Sequence, residues 1–206
     1  MQRYINKAEN LTTPSRAIQQ EYGMNIDASA HGDDGPIQIG FSQYMYDTVR
    51  DWIPTWVNLG IPSIDGGAGT TRGVTITPLT VNMFNQTRSD SKAGYIDPLP
   101  PRSNLVILTG QQVTQILFSS TDSASGNKVA SGVRFQAASG AQSYTVQATK
   151  EVILSGGTVG SPQILQLSGI APKTLTDRLN INSVVDLPVG YNLQDHVSYS
   201  MYWRVA

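Results

Sequence analysis

One stretch constrains the fold of this chain more than any other: Lys150–Ile170, KEVILSGGTVGSPQILQLSGI. Its order predicts strand, tight turn and helix. Glu151-Val152-Ile153-Leu154 is a short apolar, β-prone run, and Gly156-Gly157 breaks it by allowing positive φ and close approach of another body to bare backbone. Ser161 is placed to cap the following helix with Pro162 at its first position. Ile164, Leu165 and Ser168 fall on one face, and Gly169 suits the far end. A helix start facing a glycine turn offers free amides and the positive end of a dipole to an anion such as phosphate. The same pattern also serves as plain scaffolding in α/β proteins, so both readings stay open on this stretch alone.

Composition narrows the class. The chain has 206 residues, 39% of them hydrophobic, enough for a sizeable core in one or two globular domains. Fourteen basic and 15 acidic residues give a formal net charge of −1, and no lysine or arginine run occurs. Electrostatic attraction to nucleic acid or to an anionic membrane is therefore not expected. No apolar run approaches the ~18 residues of a membrane span, and the opening MQRYINKAEN lacks the apolar core of a signal peptide. Without cysteine the chain has neither disulfides nor thiolate chemistry, and no metal-ligand spacing stands out. Asn10-Leu11-Thr12 and Asn85-Gln86-Thr87 match the N-glycosylation triplet.

Along the chain, residues 1–22 read as a helical piece, a loop at Thr12-Thr13-Pro14-Ser15 and a second short helix. No cap precedes Tyr4, so the chain is expected to open mid-helix, with something upstream removed. HGDDGPIQIGF, residues 31–41, predicts a glycine turn and a strand with Ile37, Ile39 and Phe41 on one face. Asp47–Leu59 has helical periodicity that Pro54 should bend or break. A polar glycine-rich loop at 65–73 leads to a strand-like run at 74–79, and Arg88-Ser89-Asp90-Ser91 looks like a capped helix start. The prolines at 98, 100 and 101 mark a boundary. Strands are then expected at 105–109, 112–118, 129–136, 143–148 and 151–154, with turns at 125–127 and 139–141. A short helix at 174–179, a strand at 184–187 and a final strand at 197–206 complete the reading.

Three of these stretches, taken together and in order, carry a resemblance. Gly157–Ile170, GTVGSPQILQLSGI, resembles the second signature of the glucose-methanol-choline (GMC) flavin oxidoreductases, departing at Ala171, where glycine is usual. Pro188–His196, PVGYNLQDH, is similar to that family's Val-Gly-x-Asn-Leu-x-Asp-His segment, and His31–Pro36 to its His-Gly-x-x-Gly-Pro turn. Weaker agreement comes from Lys7–Asn10, Arg88-Ser89 and Pro101–Gly110. The resemblance covers nearly the whole chain. It implies a mixed α/β fold, the middle portion of a two-domain FAD-binding architecture. Residues 1–100 would be mainly substrate-domain and lid segments, residues 101–171 an FAD-domain segment, and residues 172–206 a return to the substrate domain.

The resemblance also implies FAD as cofactor, a primary alcohol or sugar as substrate, other segments of the same enzyme as partners, and an extracellular location. Cofactor contacts are expected at Val113, through its backbone, at Gly156 and Gly157, and at Asn192, Asp195 and His196. A core valine, a plain turn and a loop-pinning Asp195 are the structural alternatives for these positions. His31 is expected to be a turn residue that closes over a loop near the cofactor. Tyr44, Tyr46, Trp52 and Trp56 would either line an aromatic cavity or pack in the core. The family's N-terminal GxGxxG and its catalytic histidine have no counterpart, since His31 and His196 fall in other motifs, so no catalytic residue is expected here. A non-catalytic truncated paralogue or interaction module that keeps the fold is the alternative.

Overall fold

The computed structural model of the chain describes residues 1–119, 127–137, 140, 142–200 and 202. It divides into two compact units, Met1–Leu105 and Val106–Ala206.

The first unit begins with helix α1 (Gln2–Ala8), which runs directly into strand β1 (Glu9–Thr12). Sequence reading gives a loop at Thr12, but the strand forms because Ile37–Gly40 (β2) pairs parallel to it, Leu11 opposite Ile39. The turn at 31–35 locks onto β1 from the other side: the Leu11 N–H donates to the Gly32 carbonyl, and the Gly35 N–H to that of Glu9. Helix α2 (Arg16–Glu21) is capped by the Ser15 hydroxyl, which accepts from the Ile18 N–H. The expected helix at 47–59 divides at Trp52 into a 3-10 turn (Asp47–Asp51) and α3 (Trp52–Asn58). Pro54 does not break α3, because it occupies the first turn, where no intrahelical partner exists for its missing N–H.

The strand-like run at 74–79 pairs only at its ends, Val74 with Ser63 and Leu79 with Gly40. The β3 (Val81–Asn82) and β4 (Thr87–Arg88) pair forms a short antiparallel hairpin. Helix α4 (Ser91–Tyr95) starts where the sequence places it, with the Asp90 carboxylate accepting from the Ala93 N–H at 2.9 Å. Tyr22, Ile39, Phe41, Ile53, Val74 and Met83 form the core of this unit. The tryptophans do not: Trp52 is 48% exposed and meets Trp56 edge-on, while Ile53 is the buried residue of α3.

The second unit is built on a three-stranded antiparallel sheet, β5 (Gln111–Phe118), β6 (Ala130–Ala137) and β7 (Ser143–Gln147), in that order. The predicted turns at 125–127 and 139–141 fall largely outside the described residues. Helix α5 (Gly157–Leu167) packs on β5. It begins at Gly157, so Ser161 is not its cap and Pro162 lies inside it, where one missing N–H removes one backbone bond without ending the helix. Gly169, at φ +85°, follows the helix end as expected. Strand β8 (Ile170–Ala171), helix α6 (Lys173–Arg178) and strand β9 (Val185–Asp186) make a small parallel unit, Ile170 opposite Val185. The expected strands at 105–109, 151–154 and 197–200 are not formed, because no described residue offers them a ladder partner. Residues 201 and 203–206 lie outside the described residues.

Candidate functional site

The candidate site lies in the second unit, around the N-terminal half of α5. Edge strand β5 faces this helix, and the connection Val152–Gly156 passes beside both. Together they enclose a cavity of about 440 Å³. Val113 and Gly156, two of the sequence-predicted contacts, both line it. Apolar Val133, Leu154 and Ile164 offer flat surface, and Gln163 gives a polar handle. A second cavity, of about 630 Å³, opens between α5 and the loop at 190–194. Thr158, Gln163, Gln166 and Asn192 line it. Gln163 borders both.

Local chemistry explains this arrangement. Ladder pairing of β5 with β6 slips between Val113 and Gln115, a bulge at Thr114, whose hydroxyl donates to the Arg134 carbonyl at 3.3 Å. Bulges re-aim a strand edge, and they gather beside functional sites. At the far end of α5, the buried Ser168 hydroxyl accepts from the Ile116 N–H at 2.8 Å and donates to the Ile164 carbonyl at 2.6 Å. That fixes the helix on the strand. On the other side, the Gln166 side-chain amide donates to the Val189 carbonyl at 2.9 Å, tying the 190–194 loop to α5. Gly190 suits this place because it sits at φ +91°, a backbone conformation that strains any residue with a side chain.

The glycine turn separates into two roles. Gly156 has an ordinary φ of −79°, and a Cβ there would press on Gly160 and Ser161 at 3.0 Å, so it is held by its own helix. Gly157 stands at φ +77°, and a Cβ on it would meet no atom within 4 Å. The turn thus leaves an open cradle at the helix start. No side chain caps α5, so its first N–H groups stay available to an anionic or carbonyl ligand.

The remaining predicted contacts are less concentrated. Asn192, at φ +58°, lines the second cavity, whereas the Asp195 and His196 side chains are exposed and border neither. The Asp195 carboxylate accepts from the His196 backbone N–H at 2.7 Å and so pins the loop rather than orienting the imidazole. Sequence reading missed Thr114, Gln163 and Gln166; two glutamines three apart on a largely apolar helix were the available signal. Among the described residues, no group of three or more His, Asp or Glu could hold a metal ion.

In the first unit the His31 ring closes over the loop that carries Asp65. The buried ring places Nδ1 3.3 Å from Glu9 Oε2 and Nε2 3.1 Å from Asp65 Oδ2. Burial pushes the Asp65 carboxyl up. The Gly67 and Asp27 backbone N–H groups and the His31 ring outweigh that and hold it below the ordinary carboxylate value. Tyr44 and Tyr46 pack edge-on at 5.2 Å and are mostly exposed. Neither lines the cavity of about 370 Å³ beside them, which Tyr22, Phe41 and the Glu21–Arg50 ion pair border instead.

The family model described as GMC oxidoreductase matches residues 2–198, and the chain belongs to that family of FAD-dependent oxidoreductases. It is 42% identical over 202 residues to the GMC oxidoreductase family protein Mala s 12 of Malassezia sympodialis, covering 97% of this chain and 32% of the relative. It is 36% identical over 211 residues to a glucose oxidase of Aspergillus carbonarius, covering 98% and 33%. An FAD-dependent oxidoreductase from Chaetomium thermophilum superposes with a TM-score of 0.82 at 32% identity, covering 91% of this chain and 31% of that one. The chain spans about a third of the length of these relatives.

Proposed function

We propose that the chain forms one wall of the flavin site of an FAD-dependent enzyme that oxidises a primary alcohol or sugar. The observation that carries this reading is the enclosure of Val113 and Gly156 in one cavity beside the uncapped, open start of α5. The residues fit the group: a glycine cradle without Cβ atoms, free helix amides and apolar walls suit a dinucleotide with a flat ring. Bound FAD would supply the acceptor for the hydride leaving the alcohol carbon. The chain's own residues bind and orient. β5 presents backbone at Val113, α5 presents N–H groups, and Gln166 holds the 190–194 loop in place. Asn192, Asp195 and His196 belong to the same reading as the border of the cofactor, with Asn192 the member that reaches a cavity.

In this reading residues 1–100 serve the substrate domain and its lid, residues 101–171 the FAD domain, and residues 172–206 lead back to the substrate domain. No residue of the chain is assigned as catalytic base. The base and the remaining phosphate-binding glycines come from other segments of the same enzyme. The glucose oxidase relatives favour a sugar substrate, and the extracellular location is read from the family resemblance. Among the described residues no helix is long and apolar enough to cross a membrane.

The test is Gly157→Val in the complete enzyme, with Gly60→Ala, another positive-φ glycine with open space around it, as the control for backbone strain. Purified Gly157→Val should lose most of its flavin absorbance while Gly60→Ala keeps it. Equal flavin occupancy in both variants and the parent would overturn the assignment of this wall.

A further inference from the structure

Of the two N-glycosylation triplets, the geometry points to one: we propose that Asn85 carries an N-linked glycan and that Asn10 does not. The inference rests on the extracellular reading above, since the sugar donor, a lipid-diphosphate-linked oligosaccharide, is met on the secretory route. In the transfer a bond forms between Asn85 Nδ2 and the anomeric carbon of the first N-acetylglucosamine. The bond from that carbon to the diphosphate oxygen breaks, the lipid diphosphate leaves, and an amide proton passes to solvent. Nothing is oxidised or reduced.

Asn85 sits at the tip of the β3–β4 hairpin and is exposed. Its Oδ1 accepts from the Thr87 hydroxyl at 2.7 Å and from the Thr87 N–H at 3.1 Å, so the asparagine and the hydroxyl that the triplet requires already meet. The Nδ2 of Asn85 donates to no described residue and is free to become the linkage atom. Gln86, at φ +58°, turns the chain back on itself to allow this. Beneath the tip the turn is anchored: Met83 is buried, and its carbonyl accepts from the side chains of Gln43 and Gln86, each at 2.9 Å. A glycan outside this anchor leaves the core untouched. Beside it lies a polar cleft of about 550 Å³, where Asn82, Arg88 and Asp97 offer partners to sugar hydroxyls.

Asn10 has none of these properties. It lies in β1 and is half-buried, paired with Gln38 of β2 on one side and bridged to Asp33 on the other. Thr12 is paired with Gly40, and the triplet is extended, so hydroxyl and amide do not meet. A glycan there would stand against the turn that closes over β1.

The experiment expresses the complete polypeptide in a yeast host twice, behind its own N-terminus and behind a heterologous secretory leader. Peptides are mapped after enzymatic deglycosylation in heavy-oxygen water. The expected result with the heterologous leader is a labelled Asn85→Asp peptide and an unmodified Asn10 peptide. Asn85→Gln and Thr87→Ala should each remove one glycan step in gel mobility, Thr87→Ser should keep it, and Asn10→Gln should change nothing. A bare Asn85 or an occupied Asn10 in that protein would overturn the inference, and wild-type mapping decides this even if a variant is not secreted. Labelled Asn85 behind the heterologous leader, with the own-terminus protein bare inside cells, would uphold the site and sink the extracellular reading.

Discussion

At the residue scale, the buried contact of His31 with two carboxylates carries a prediction about acid stability. Asp65 accepts from the Gly67 N–H at 2.8 Å and the Asp27 N–H at 2.9 Å, and its Oδ2 lies 3.1 Å from His31 Nε2. Its folded pKa is therefore lowered, despite burial that acts the other way. A carboxyl whose folded pKa lies below its unfolded value, about 3.9, stabilises fully above that value and loses the contribution as pH falls through the folded pKa. Asp65→Asn should thus lower the urea midpoint at neutral pH. It should also flatten the decline in midpoint on the acid side, between about pH 5 and pH 2. Midpoints of parent and variant that run parallel across the acid range would show that Asp65 carries no such linkage.

At the element scale, what the sequence revealed depended on whether an element's partner was local. Asp90 capping α4 and the Gly169 helix end follow from neighbours within a few residues, and both formed as read. The runs at 105–109 and 151–154 carry the right residues for strands yet form none, because a strand exists only with a ladder partner. Family resemblance put Val113 and Gly156 forward, and both line one cavity; the Thr114 bulge and the Gln166 tether were not readable, since each depends on a partner about 20 residues away. Ser168 shows the same limit. Its place on the buried face was readable, but its bond to Ile116, 52 residues earlier, was not. Ser168→Ala leaves the buried Ile116 N–H without an acceptor and should cost about 1–3 kcal/mol in unfolding free energy. Loss of hydrogen-exchange protection should centre on α5 and β5 rather than on β1 and β2. A variant as stable as the parent would mean that the contact does not hold helix to strand.

At the scale of the whole molecule, the second unit leaves unusual apolar surface in the segments that failed to become strands. Val106, Ile107 and Leu108 are 77%, 57% and 61% exposed, and Ile153 is 78% exposed. Apolar runs with unpaired backbone groups template association with other strands. Relatives about three times as long as the chain contain polypeptide that could cover them. Such cover would contribute about 1.5–3 kcal/mol for each large side chain fully buried. The same side chains should therefore have opposite effects in two contexts. Residues 1–206 expressed alone should aggregate or melt without a sharp transition, and Val106→Lys with Ile153→Lys should improve solubility there. In the complete enzyme the same pair should lower the melting temperature and flavin retention, because two charges then replace buried apolar contacts. Light scattering and thermal melts on both forms read the two signs together. If residues 1–206 alone are monodisperse with a cooperative melt, and the lysines leave the complete enzyme unchanged, these segments face solvent throughout and no further strand covers them.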